Sequence, residues 1–251
     1  MNKDYLEQLG ILRAEVPVGL TRGLQLLAQT GGDLQQVAAL LKEEYVEQAV
    51  ALTGLSEAEV LPYLQRFRFD VSKAIPFLEE DFLLIGKVRH SRSAYQLKRL
   101  QHHKEQAIQW IAGMVEKEAG IIRPQHYWLT GSEVGSLPPV QRSVVVVADW
   151  LEYYDSEAFA SAIHHVTTLF AAALRVLGMA SSAAALLLAT AIAEEMARQY
   201  PDDNIDAHMA RSRAQEADEW FRHAESHFEE HRSVIITTLY HYIEQHIDQF
   251  P

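Results

Sequence analysis

The chain has no cysteine among its 251 residues. That excludes disulfides, thiolate metal sites and a cysteine nucleophile, and it suits a reducing compartment, so a cytoplasmic location is expected. Also lacking is a charged N-terminal segment followed by an apolar run, and MNKDYLEQLG does not read as a signal peptide. No GxSxG, Walker loop, dinucleotide fingerprint or HExxH occurs. The chain therefore reads as a binding protein in preference to an enzyme, with no cofactor called for. What it has in quantity is apolar surface and negative charge. Hydrophobic residues make up 48%, ample for a packed core, and the formal charge is −12 at pH 7.

The charge is unevenly spread. Residues 1–86 carry 7 basic and 13 acidic groups, residues 87–125 carry 8 and 3, and residues 201–251 carry 4 and 11. A basic strip runs through Lys87, Arg89, Arg92, Lys98, Arg99 and Lys104 with no acid between them. It is expected to lie against the acidic C-terminal segment or against a second copy of the chain, with Leu97 and Leu100 supplying the apolar contact. Monomer and homodimer both remain open. Nucleic-acid binding by the strip is an alternative, opposed by the field of the whole molecule, which repels phosphate. Residues 176–193 carry no charge, yet Ala, Ser and Gly dilute the run. It is expected to be a buried central helix in place of a membrane span.

The most informative pattern is a repeat of 37 residues, seen by aligning Asp33 with Asp70. Leu24 then falls on Leu61, Leu27 on Leu64, Leu34 on Val71, Val37 on Ala74, Leu41 on Leu78, and Leu9 on Val46. Each copy reads as three short helices. In the first, residues 5–12 form a helix with Leu6, Leu9 and Leu12 inward, and residues 20–29 form a second, closed by Gly31-Gly32. Asp33 caps a third, whose apolar stripe is Leu34, Val37, Ala38 and Leu41. In the second copy, residues 46–52 lead to Thr53-Gly54-Leu55, Ser56 caps the next helix, and Asp70 caps the last, with Val71, Ala74, Ile75 and Leu78 inward. Pro62 is expected to kink the middle helix or delay its start.

The run LRAEVPVGLTRGLQLLAQTGGDLQQVAALLK, residues 12–42, resembles the N-terminal domain of elongation factor Ts, a ubiquitin-associated-like (UBA-like) three-helix fold. Gly19, Leu27, Gly32, Asp33, Leu34, Val37 and Leu41 occupy the matching places. The second copy keeps Thr53-Gly54 but has Arg68-Phe69 where the pattern has Gly-Gly. The resemblance covers about 80 of 251 residues. The Thr-Asp-Phe-Val signature of nucleotide exchange is not found, so exchange activity does not carry over. What the resemblance implies is docking of a protein partner through the turn after the first helix and the end of the third. Here that surface is Val18, Gly19, Leu20 and Leu41, and in the second copy Gly54 and Leu55 with Leu78. The competing reading has these residues packing the modules' own cores.

Beyond the repeat, Tyr95, Leu97, Leu100, Ile108, Ile111 and Val115 suggest a long helix ending at Gly120. Residues 120–138 read as a loop with Trp110, Tyr127 and Trp128 as core anchors near it. Four helices follow from Ser136: one from Pro138-Pro139 to about Tyr154, although Val144 and Val147 bound a run that favours strand; one from Ser156 to Gly178; one over residues 182–200; and a long one capped by Asp203, carrying Ala217, Phe221, Ala224 and Phe228. A final helix starts at Ser233. Short connections make this a bundle.

One constellation could carry chemistry. His223, His227 and His231 stand in a row at i, i+4 and i+8, extended by Glu219. Such a row could hold a divalent metal, although a solvated or helix-packing row explains it equally. His164-His165 is a second candidate, as a polar partner of Glu194 or Glu195. The expected architecture is all-α, with UBA-like modules at 1–42 and 43–85, a helix and loop connector at 86–135 and a bundle at 136–251.

Overall fold

The computed structural model describes residues 3–121, 128–201 and 205–251. The fold is all-α, with twelve α-helices and a single two-stranded hairpin among the described residues. It divides into two compact units, Met1–Ser91 and Arg92–Pro251.

The first unit contains α1 (Lys3–Glu15), α2 (Leu20–Gln29), α3 (Leu34–Thr53), α4 (Glu57–Arg66) and α5 (Val71–Asp81). The 37-residue repeat is present in backbone detail. The Gly32 amide donates to Leu27 O and the equivalent Phe69 amide to Leu64 O, and Thr30 and Phe67 close their helices onto Leu26 and Tyr63. Asp33 accepts from the Gln36 amide and Asp70 from the Lys73 amide, so both act as N-caps. Leu9, Leu12, Leu27, Val37 and Leu41 build one small core, and Val60, Leu64, Ala74 and Leu78 build another. Phe69 packs against both.

Four expectations change here. Leu6 is exposed, because the inward stripe of α1 runs through Tyr5, Leu9 and Leu12 at helical spacing, with Val16 joining the same core just after the helix. The third helix of the first copy and the first helix of the second are one helix, α3, so the expected boundary at 42/43 falls inside it. The segment LKEEYVEQ holds no Gly or Pro and is rich in helix formers. Pro62 does not delay α4, which starts at Glu57, where the Glu59 carboxylate accepts from the Ser56 amide at 2.8 Å. Pro62 and Ala58, whose carbonyl loses its helical donor, both face solvent. Finally, β1 (Leu84–Ile85) pairs antiparallel with β2 (Val88–Arg89) across Gly86-Lys87. Both turn residues have positive φ, as a two-residue hairpin requires.

The second unit contains α6 (Arg92–Arg99), α7 (Lys104–Glu118), α8 (Pro139–Ala162), α9 (Thr167–Val176), α10 (Ala180–Gln199), α11 (Ile205–Ala217) and α12 (Glu219–Gln245). Residues 92–121 are not a connector: Leu97, Ile108, Ile111 and Val115 belong to the same core as α8 and α12. The expected single helix over this stretch is two helices, interrupted after Arg99. The central helix is α8, buried without interruption from Ser143 through Leu151. Its valine run is helical despite strand propensity, since burial on every side outweighs a weak intrinsic preference.

The run expected to be central is instead α10, which buries Ser182, Ala183, Leu186, Ala189 and Ala193. It leaves Leu187 36% and Leu188 44% exposed. By length and composition α10 could cross a membrane, and its small residues form the face that packs here. The helix expected from Ser156 to Gly178 is broken at Ala158 (φ 65°, ψ 169°) and again at residues 163–166 before α9. Asp218 caps α12 through the Phe221 amide at 2.9 Å, so Ala217 ends α11 and is exposed. No break occurs at Ser233, because the apolar stripe of α12 continues unbroken through Ile235, Leu239 and Ile243. Asp203 and Tyr127 lie outside the described residues.

Candidate functional site

Within the apolar run of α8 stands one carboxylate, Asp149, whose side chain has 0% exposure. Burying it demands partners. His165 Nε2 lies 2.6 Å from Asp149 Oδ2 and donates to it, and the Leu129 amide approaches Oδ1 at 3.4 Å. Tyr153 stacks on the His165 ring at 4.3 Å, and Trp128 meets both rings edge-on. Beside it, Trp150 Nε1 donates to Ala162 O at 2.9 Å and its ring stacks on Phe170 at 4.1 Å. Asp149 thus clasps the segment after residue 128 to the α8–α9 turn. The same turn holds Val166 at φ 40°, a left-handed conformation that strains a β-branched residue.

Above this clasp opens a cleft of about 670 Å³ between Gly131, the α8–α9 turn, the start of α9 and the middle of α10. Its polar groups are His164, Thr167, Thr168, Thr190 and Glu194, and its apolar wall includes Leu169, Leu187 and Ala191. The Thr167 hydroxyl donates to Ile163 O, and Thr190 Oγ1 donates to Leu186 O at 2.9 Å. Burial lowers the His164 pKa below its ordinary value. The nearby Arg211 charge pushes in the same direction, against Glu194. His164 and Glu194 line the same cleft, but both are exposed and do not form the buried polar pair expected from sequence, while Glu195 binds Arg198 and Gln199.

The other residues singled out from sequence fare unevenly. Gly19 is exposed, Leu20 is 52% exposed, and Val18 is half-buried against the first core. Leu41, at 1% exposure, is no surface residue: it lies one helical turn from Val37 on the core face. Leu78 is equally enclosed, and Leu55 packs half-buried against the second core. Gly54 is exposed at φ 76° and closes α3 by donating to Val50 O.

In α12 the histidine row does not converge with a carboxylate. Ser182 Oγ and His227 Nε2 are 2.9 Å apart, the His227 and His231 rings stack at 4.1 Å, and His223 stands edge-on to Trp220. Glu219 faces solvent. Among the described residues no three His, Asp or Glu side chains are grouped as metal ligands. The basic strip is split between the two units. Lys87 and Arg89 lie in the hairpin, with Arg89 over the Phe82 ring, whereas Lys104 opens α7 over the Tyr240 ring. Leu97 O accepts from the Tyr240 hydroxyl at 2.9 Å, so α6 and α12 are joined by a hydrogen bond, not by the pairing of basic with acidic side chains expected from sequence.

Asp149 was missed in sequence reasoning. The signal was available: a lone acid inside VVVVADW has no solvent to face in a buried helix and must find a donor.

The model of one family, the YfbN C-terminal domain, matches residues 93–248. The chain belongs to the YfbN C-terminal domain family. A curated relative, the "Uncharacterized protein YfbN" of Escherichia coli (strain K12), is 24% identical over 150 residues, 60% of this chain and 59% of that protein. The chain thus aligns with about 59% of the length of the curated relative it matches. No solved structure matches. Asp149, His165 and the whole cleft fall inside the YfbN C-terminal domain match, whereas the repeat of the first unit precedes it.

Proposed function

We propose that this chain is a protein-interaction or regulatory protein whose N-terminal UBA-like modules dock a partner. The observation that carries this reading is the turn between α1 and α2. Leu20 and Gly19 stand exposed there on a backbone held from both sides. Arg13 Nε donates to Val18 O at 2.9 Å, and the Tyr45 hydroxyl donates to Pro17 O. An apolar side chain kept in water on a fixed turn has a surface to give to a partner and little ordering entropy to lose. The docking surface on this turn is Gly19 and Leu20 with half-buried Val18, and of Gly54, Leu55 and Leu78 in the second copy Gly54 alone stays exposed. Leu41, Leu55 and Leu78 serve their own cores.

The test is partner capture from lysate by the full chain and by Leu20→Glu, with Leu55→Glu as a packing control. Circular dichroism and melting temperature establish that Leu20→Glu is folded. Loss of captured proteins with Leu20→Glu supports docking at this turn. An unchanged set of captured proteins overturns it.

A further inference from the structure

We propose that the cleft between the α8–α9 turn and α10 binds a small primary ammonium compound carrying an apolar tail. The basis is a set of hydrogen-bond acceptors, with Glu194 foremost, beside apolar side chains in a cleft of ligand size.

The polar lining is biased toward acceptors. Among the described residues Glu194 has no ion pair, although its neighbour Glu195 is engaged by Arg198. An ionised carboxylate is an acceptor alone. Thr190 spends its hydroxyl proton on Leu186 O and keeps its lone pairs for the cleft. The His164 pKa is shifted down by partial desolvation and by Arg211, which favours the neutral ring, whose second nitrogen can accept. An ammonium group has three N–H donors and no acceptor, which matches this set, while a carboxylate or phosphate would meet Glu194 and be repelled. The molecule's net charge of −12 favours the same sign of ligand. Leu187 and Ala191 lie on the same face of α10 as Glu194, with Leu169 of α9 also in the lining, and the partial exposure of Leu187 leaves apolar area beside the carboxylate for a hydrocarbon tail to cover.

The groups bearing on His164 are Glu194 from α10 and Arg211 from α11. Protonation of His164 removes its acceptor and places a second cation beside the ligand. Because His164 titrates below its ordinary value, binding holds near neutral pH and weakens as the pH falls below about 6.5.

The experiment is titration calorimetry on the full chain with phenethylamine, against 2-phenylethanol and 3-phenylpropionate, which keep the tail and change the charged group. Phenethylamine is expected to bind, and the other two to bind at least about tenfold more weakly. Glu194→Gln is expected to reduce phenethylamine affinity by about tenfold or more, and Glu195→Gln to leave it unchanged. Leu187→Asn, on the exposed face of α10, removes apolar area without adding charge and is expected to weaken phenethylamine binding; unchanged affinity in this variant would overturn the placement of the tail. Absence of phenethylamine binding, equal binding of the alcohol or acid, or equal effects of the two Glu variants would overturn the proposal. Binding unaltered in Leu20→Glu separates this cleft from the docking turn.

Discussion

At the scale of single residues, Asp149 is the side chain on which most depends locally. It is a fully buried residue of α8, and its oxygens receive the His165 ring and the Leu129 amide. Asp149→Ala leaves both donors buried without an acceptor and is expected to cost about 3–5 kcal/mol in chemical denaturation. Asp149→Asn keeps one acceptor oxygen and should cost roughly half as much.

Asp70 behaves differently, because it is a cap at the surface. Bonds from the Lys73 and Ser72 groups hold its carboxyl down at about 2. A carboxyl depressed in the folded state contributes stability that is present above its unfolded value and is lost as pH falls through the folded one. Asp70→Ala should therefore destabilise by about 1 kcal/mol near neutral pH. The gap to the parent should close as the pH falls from about 4 to about 2, which urea melts at several pH values would measure.

At the scale of elements, the repeat allows one backbone shape to be compared on two sequences. Gly31 and Gly32 have φ of 65° and 91°, and Arg68 and Phe69 adopt 52° and 61° at the equivalent places. Glycine takes this conformation freely, whereas a residue with a Cβ is strained by about 1 kcal/mol. Arg68 is exposed and makes no core contact that would repay the strain, so Arg68→Gly is expected to raise stability by about 1 kcal/mol. Phe69→Gly relieves the same strain but removes a ring packed against both small cores. It is expected to lower stability by about 2 kcal/mol, the two variants moving in opposite directions in thermal melts.

The whole molecule raises the question of where a folding unit begins. Residues 92–251 draw their core from Leu97 to Phe250, and the Ser93 amide donates to Pro251 O at 2.8 Å, tying that unit's two ends together. A fragment of residues 92–251 should be helical and unfold cooperatively. A fragment starting at residue 136 loses Leu97, Ile108, Ile111 and Val115 and should not. Circular dichroism with thermal melting of the two fragments decides this. The YfbN C-terminal domain match, beginning at residue 93, falls at the same place.

The helical class, the bounds of α2, the caps at Asp33, Ser56 and Asp70 and the inward faces of α3 and α5 were legible in the sequence. Their causes are local: periodicity over one or two turns, and a short polar side chain within reach of free amides. The break at Asp218 had the same local chemistry but competed with equally plausible signals at Asp203 and Ser233. The continuity of α12 across Ser233 was decided by what its apolar stripe packs against. Val144 and its neighbours show the limit more sharply, since their strand propensity is worth little beside burial on all sides, and burial is a property of the assembled unit. The same holds for the site. His164 and Glu194 are 30 positions apart, and Asp149 and His165 are 16 apart. Sequence determined that a lone acid, two histidines and a glutamate existed on helices. Only the tertiary fold, by turning the chain at Ala158 and Val166, decided which of them would share a clasp and which would face one cleft.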